Sequence, residues 1–334
     1  MVSIGYALLT EEHSARDLVR NAVRAEECGF SFATVSDHYH PWLDSQGESP
    51  FAWSVLGALA QATESLVLGT AVTCPTIRLH PAIVAQAAAT VATMAPDRFF
   101  LGLGSGENLN EHVLGDAWPP PPTRLRMLEE AIEVIRDLWT GDEQNFDGEF
   151  FTVDHARIYS LPERTPPILV AASGPESAGV AGRGGDGIIA TAPDSELLQE
   201  WRDAGGGSGP RMGMLHLVYA EEEQQARETL ARHWSHAPLP GSLNADLRRP
   251  AEFMAASHFI RLEDYGDETP LGPDPERVME RIREFEQAGY DHLILHQIGP
   301  DQDGFLRFFE QELRPRLDAE PARITGGPRA MARA

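Results

Sequence analysis

The chain contains no lysine: all 27 of its basic residues are arginine. That absence removes the side chain on which a Schiff base, a pyridoxal phosphate anchor, a carbamylated metal bridge or a Walker-type phosphate loop is built. Cysteine is nearly as scarce. Cys28 and Cys74 are the only two, too few for a disulfide framework or a four-thiolate zinc site and in keeping with a reducing, cytoplasmic compartment. No apolar run approaches the ~18 residues a membrane helix needs. The start, Met1 to Ala7, lacks the basic region and long apolar stretch of a signal peptide and reads as a strand. Positive charge is in deficit as well: 51 acids against 27 bases leave a net charge of −24, which repels nucleic acid and anionic membranes.

What is present is a long, regular alternation. The 334 residues, 42% hydrophobic, can fill two ordinary domains or one barrel. Short β-rich runs at 2–8, 31–37, 66–73, 99–105, 167–172, 187–191, 211–219 and 292–298 alternate with stretches of helical periodicity, such as Met127, Leu128, Ile132, Ile135 and Leu138. The alternation does not break. Eight strands in this pattern predict an α/β chain folded as a single (β/α)8 TIM barrel over 1–318, with a flexible C-terminal tail at 319–334. Three segments exceed the minimal unit: the loop 39–50, a hairpin in 144–160 turning at Asp147-Gly148, and 235–273, where short helices are expected. All three are expected as insertions at the C-terminal face of the strands, where they shape a substrate pocket.

The densest chemistry lies in Thr34-Val35-Ser36-Asp37-His38-Tyr39-His40-Pro41-Trp42. An apolar strand that ends in ionisable side chains is how a barrel presents catalytic groups, and His38 is the candidate for proton handling, although a lone histidine at a strand end also serves for packing. The pair His38-x-His40 invites a metal reading, but strands five and six supply no further ligand. After strand four, Gly102-Leu103-Gly104-Ser105-Gly106-Glu107 resembles a dinucleotide fingerprint with Glu107 where the last glycine belongs. The glycines can instead let a flat ring approach the backbone, with Glu107 and Asn110 at its edge, or the stretch is simply a helix start. The small-residue turn Ala171-Ala172-Ser173-Gly174-Pro175 opens a helix whose free amides can hold a phosphate, with Arg183 adding charge; a plain tight turn is the alternative. His292 and His296 read as a satisfied core pair.

Taken in order, these motifs resemble the luciferase-like oxidoreductases that use the deazaflavin coenzyme F420, and among them the F420-dependent glucose-6-phosphate dehydrogenase group. The resemblance is carried by Ser36-Asp37-His38 with Pro41-Trp42, Leu68-Gly69-Thr70 through Pro75-Thr76, Leu101-Gly102 through Glu107-x-Leu109-Asn110, Leu138-Trp139-x-Gly141, and Ala171-Ala172-x-Gly174-Pro175 with Ala181-Gly182-Arg183. It implies that His38, Trp42 and Glu107 stand at the reacting centre, His38 taking the hydroxyl proton of an alcohol while hydride passes to the deazaflavin. It further implies a cofactor site of Asp37, Ala71, Val72, Cys74, Ser105, Asn110, Ala172, Ser173 and Gly174, a cis peptide at Ala71-Val72, and a homodimer. The group's sugar-phosphate enzymes carry a lysine after strand six. Thr191 and Asp194 stand in that loop here, so the resemblance is read toward a neutral alcohol, ketone or imine, with Arg248, Arg249 and Arg261 left as a candidate anion site. The other readings are an FMN-dependent monooxygenase of the same superfamily and a catalytically silent deazaflavin-binding protein.

Overall fold

Strands form where β-branched and aromatic residues run together, and helices where capping residues and small or proline starts precede a helical stripe. Helix α1 (Ala15–Cys28) shows the rule: Ser14 accepts a hydrogen bond from the Asp17 amide, Leu18, Ala22, Ala25 and Cys28 turn inward, and Gly29 at φ 93° closes the end. In the computed structural model, which describes residues 2–319, the strands are β1 (Ser3–Leu8), β2 (Phe32–Val35), β3 (Val67–Thr70), β4 (Phe99–Leu103), β5 (Gln144–Asp147), β6 (Thr152–Ala156), β7 (Ile168–Ala171), β8 (Gly187–Ala190), β9 (Arg211–Leu217) and β10 (His292–Gln297). Eight of them close into a parallel barrel in the order β1-β10-β9-β8-β7-β4-β3-β2. The expected fold is the observed one.

The remaining helices are α2 (Ala52–Ala62), α3 (Pro81–Met94), α4 (Asn108–Glu111), α5 (Pro121–Leu138), α6 (Pro175–Gly184), α7 (Ser195–Asp203), α8 (Glu223–His233), α9 (Gly241–Asp246), α10 (Pro250–Ser257), α11 (Pro275–Ala288), α12 (Gln302–Phe308) and α13 (Arg314–Ala319). The apolar stripes of α1–α3, α5–α7 and α11–α13 pack on the outside of the strands in one large core, while α8 and the pair α4 and α10 pack in smaller clusters of their own. A second, smaller core fills the barrel itself with Phe32, Phe100, Leu169, Met212 and Ile294. Phe32 and Phe100 fit because Gly5 and Gly69 stand opposite them: a Cβ on either glycine would fall 2.2 Å from the ring.

Two of the three long segments lie where the alternation places them. The loop after β2 and the α8–α10 segment after β9 both follow the C-terminal ends of strands. The hairpin β5–β6 does not. It follows the C-terminal end of α5, on the return path to the next strand, and lies along the barrel's outer flank, where Glu130 of α5 accepts the amides of Glu149, Phe150 and Phe151 at 2.8 to 3.0 Å and Phe151 meets His80 edge-on. A segment between a helix and the next strand is on the wrong side of the unit to shape the mouth. The proposed tail lies, but for Ala319, outside the described residues.

Candidate active site

Along a barrel strand every second side chain points to the axis. From β1 into the turn after it that series is Ala7, Leu9 and then Glu11; on β9 and β10 it rises from Met212 and Ile294 to His216 and His296. The mouth is therefore lined above an apolar floor by acids and imidazoles. His38 stands among them, held from two sides. Its Nδ1 donates to the His40 carbonyl at 3.1 Å, since a carbonyl can only accept, and its Nε2 lies 3.4 Å from Glu11 Oε1. The Glu11 carboxylate also accepts from the Ser36 hydroxyl, and from Thr10 Oγ1 at 3.3 Å. Trp42 lies against the His38 ring with centroids 5.1 Å apart. Glu11 was missing from the sequence reading, although an acid two residues past the inward Leu9 was a usable signal.

Asp37, expected beside a cofactor, is committed elsewhere. Its carboxylate is buried, accepting from Thr73 Oγ1 at 2.7 Å and from Arg78 Nη2 at 2.9 Å. Arg78 also lies 3.7 Å from Glu111, which accepts the Arg78 amide at 2.7 Å. Burial pushes the Glu111 carboxyl up to about 7. This buried acid–arginine–acid network fastens the loop after β2 to the loop after β3 and to α4. Asn110 completes the clasp: its Oδ1 accepts the Tyr39 amide at 2.9 Å while its Nδ2 donates to Glu107 Oε2 at 3.3 Å. Glu107 and the His38 loop are thus tied through one amide side chain. Glu107 and Ser105 remain partly open to the mouth.

The peptide Ala71-Val72 is cis, and both residues are partly exposed at the mouth. The glycines at the end of β4 also leave room for this neighbour. A Cβ on Gly102 would fall 1.9 Å from the Thr70 carbonyl oxygen, and one on Gly104 would fall 2.5 Å from Val72. Gly106 takes φ 78° over Cys74, whose buried thiol turns onto Thr76 Oγ1 at 3.0 Å and is pushed up by burial and by the charge of Glu111. At the turn before α6, Ala172 is buried and Ser173 exposed. The amides of Ser173 and Gly174 donate to Ser177 Oγ at 3.1 and 3.2 Å, so an arriving phosphate oxygen would compete with that hydroxyl. Arg183 is at the other end of the helix, paired with Glu129 at 2.7 Å, and adds no charge to the turn.

Thr191 is exposed beyond β8. Asp194 caps α7, accepting from the Glu196 and Leu197 amides at 2.9 and 3.0 Å, so its charge meets a helix N-terminus. Of the three arginines named as a candidate anion site, Arg249 pairs with Glu252 and Arg261 with Glu263, so two are already met by acids.

His216 and His236 were the other omission, and His296 was read only as a core residue. His216 and His296 are register partners on adjacent strands, with Nδ1 atoms 2.7 Å apart. Trp234 covers both, with centroids at 5.5 and 4.8 Å, and stands 4.6 Å from His236, which stacks on Trp42 at 4.8 Å. Phe253 of α10 closes edge-on against Trp42 at 5.2 Å. Burial pulls His216 down to about 4 and His236 to about 3, and holds His296 well below the ordinary range, helped by neighbouring His216. His292, by contrast, pairs with Asp291 at 2.6 Å. The expected core pair of His292 and His296 is thus two separate residues with different partners.

A luciferase-like monooxygenase family model matches residues 2–292. The chain is 36% identical over 330 residues to the F420-dependent glucose-6-phosphate dehydrogenase of Mycolicibacterium smegmatis, covering 95% of this chain and 98% of that protein. The Nocardia farcinica enzyme of the same name is 36% identical over 332 residues, with the same coverage. Among solved structures, an F420-dependent secondary alcohol dehydrogenase in complex with an F420-acetone adduct superposes with a TM-score of 0.87 at 30% identity, over 93% of this chain and 97% of that one. The coenzyme F420 dependent tetrahydromethanopterin reductase of Methanopyrus kandleri shares the fold, with a TM-score of 0.74 at 21% identity over 94% and 99% of the two chains.

Proposed function

The chain belongs to the luciferase-like monooxygenase family and to its F420-dependent oxidoreductases, and on that premise we propose that it moves hydride between coenzyme F420 and an alcohol, carbonyl or imine substrate, with His38 as the proton-handling residue. The observation that carries this reading is the setting of His38: one ring nitrogen held by a carbonyl, the other 3.4 Å from a buried carboxylate, and Trp42 on its face.

The residues present fit the cofactor. Ala71 and Val72 form a partly exposed apolar wall, Glu107 stands open at its side, and a Cβ on Gly174 would meet nothing within 4 Å, which leaves room at the α6 turn. Ala71, Val72, Ser105 and Glu107 would border the ring, and Ala172, Ser173 and Gly174 the phosphate; Asp37, Cys74 and Asn110 hold these walls in place. When bound, F420 supplies the carbon that accepts or returns hydride. In the oxidising direction the substrate hydroxyl gives its proton to His38 Nε2, because Nδ1 is engaged. The imidazolium so formed faces Glu11, whose charge steadies it. Glu107 balances the proton at the ring edge.

Thr191 borders the substrate, and a sugar phosphate is disfavoured by the lack of lysine and the pairing of Arg249 and Arg261. The FMN-dependent monooxygenase reading is less supported, because relatives at or above 30% identity bear F420-dependent names. No described helix is long and apolar enough to cross a membrane, and a cytoplasmic location agrees with two free cysteines. A homodimer is supported by exposed Phe51 and Ile83 beside the small residues Gly57 and Ala87 on the α2–α3 face. Fluorescence titration with oxidised F420 and, in parallel, with FMN tests the cofactor. Saturable quenching by F420 alone is expected; preference for FMN would return the chain to the monooxygenase reading.

A further inference from the structure

Two rings joined Nδ1 to Nδ1 share one proton. With His216 and His296 both neutral, one ring donates at Nδ1 and is left with a bare Nε2, while its partner accepts at Nδ1 and carries hydrogen on Nε2. The pair therefore presents one acceptor and one donor. His296 is fully buried and its Nε2 has no partner; His236, 4% exposed, has none at Nδ1. A buried group of this kind is costly to leave without a partner. Trp42 and Trp234 join these groups to His38 through one run of aromatic faces.

We propose that this pocket takes a neutral polyhydroxy substrate, a polyol or unphosphorylated sugar, with its reacting hydroxyl on His38 and further hydroxyls on His216, His296 and His236. A hydroxyl is both donor and acceptor, which matches the mixed pair, and the tryptophan faces suit the C–H side of a sugar. The imidazoles stay uncharged at neutral pH, and the Glu11 carboxylate at the same mouth opposes an anion. A simple alcohol would leave the nitrogens unanswered.

This assignment rests on the F420-dependent reading, and the test separates the two. Tryptophan fluorescence of cofactor-free protein is titrated with xylitol, D-glucose, glucose-6-phosphate and 2-propanol; F420 reduction is then followed with each. Saturable binding of xylitol or glucose, and kcat/KM at least about tenfold above 2-propanol, are expected. His296→Phe should lower kcat/KM for the polyol about tenfold, the worth of one hydrogen bond, by raising KM, and His216→Asn, which keeps a donor and an acceptor, should lose less. Retained F420 binding shows that both variants fold. Turnover of 2-propanol or glucose-6-phosphate with no advantage for the polyol, or an indifferent His296→Phe, overturns the proposal. Absence of F420 binding overturns the cofactor reading alone, and the fluorescence response to polyol still decides the pocket.

Discussion

Two buried polar clusters stand at the same end of the barrel, and they are finished to different degrees. Around Arg78 the groups are charged and compensate one another within the protein, Asp37 at 2.9 Å and Glu111 at 3.7 Å, although Arg78 Nε and Glu111 Oε1 make no hydrogen bond. Around His296 the groups are neutral and some nitrogens have no partner. The first cluster joins two loops to α4 through opposite charges. The second is complete only when something polar enters. Burial of polar groups alone does not mark a binding site; unanswered valence inside a mouth does.

Replacing His38 with alanine lies between the two clusters and should have the largest effect, a loss of about 10²–10⁴ in turnover with F420 binding retained; unchanged turnover would remove His38 from the chemistry. Arg78→Met should break the finished cluster, leaving two acids buried without a cation at a cost of about 3–5 kcal/mol in urea unfolding. His296→Phe in the unfinished cluster should stay within about 1.5 kcal/mol. Equal costs would erase the contrast.

Titration sharpens it further. Burial lowers His13 and His216 to about 4 and His236 to about 3, against an ordinary 6.5, and lowers His296 as well. Burial raises Glu12 and Glu111 to about 7 from 4.5. Between pH 4.5 and 6.5 the unfolded chain takes up protons on four imidazoles that the folded chain refuses. The folded chain meanwhile keeps protons on two carboxyls that the unfolded one releases. Four against two leaves greater proton uptake in the unfolded state, so stability rises with pH through this window and falls on acidification. The melting temperature should follow, and the double variant His216→Leu, His296→Phe should flatten the slope; an unaltered slope would place the dependence elsewhere. The smallest effect is at Asp194, where alanine should cost about 1 kcal/mol by uncapping α7 and asparagine almost nothing.

The barrel was legible because each strand and each helix carries its own period, and that information is local. His38 and Trp42 were legible for the same reason, being four residues apart on one strand end and loop. What was hidden depends on register. His216 meets His296 because β9 and β10 pair with those two residues opposite, and no local pattern states which residue faces which across 80 positions. The close neighbours of Gly102 and Gly104 were hidden similarly, since the Thr70 carbonyl and Val72 belong to the adjacent strand and its loop. The hairpin was recognised and then put at the wrong end because its turn is local but its place in the unit is not.

Trp42 has a consequence for how this protein can be altered. It is the seam between a front half, which carries Glu11, His38 and Glu107, and a rear half, which carries His216, His236, Phe253 and His296; across it Trp42 touches His38 on one side and His236 with Phe253 on the other. A chimera joined in the glycine-rich link between α7 and β9 would exchange the recognising half of one relative for that of another. At the mouth it would have to match this indole together with the hydrogen bonds from Asn108 and Trp118 to Asp246 and from Ser45 to the Arg232 carbonyl.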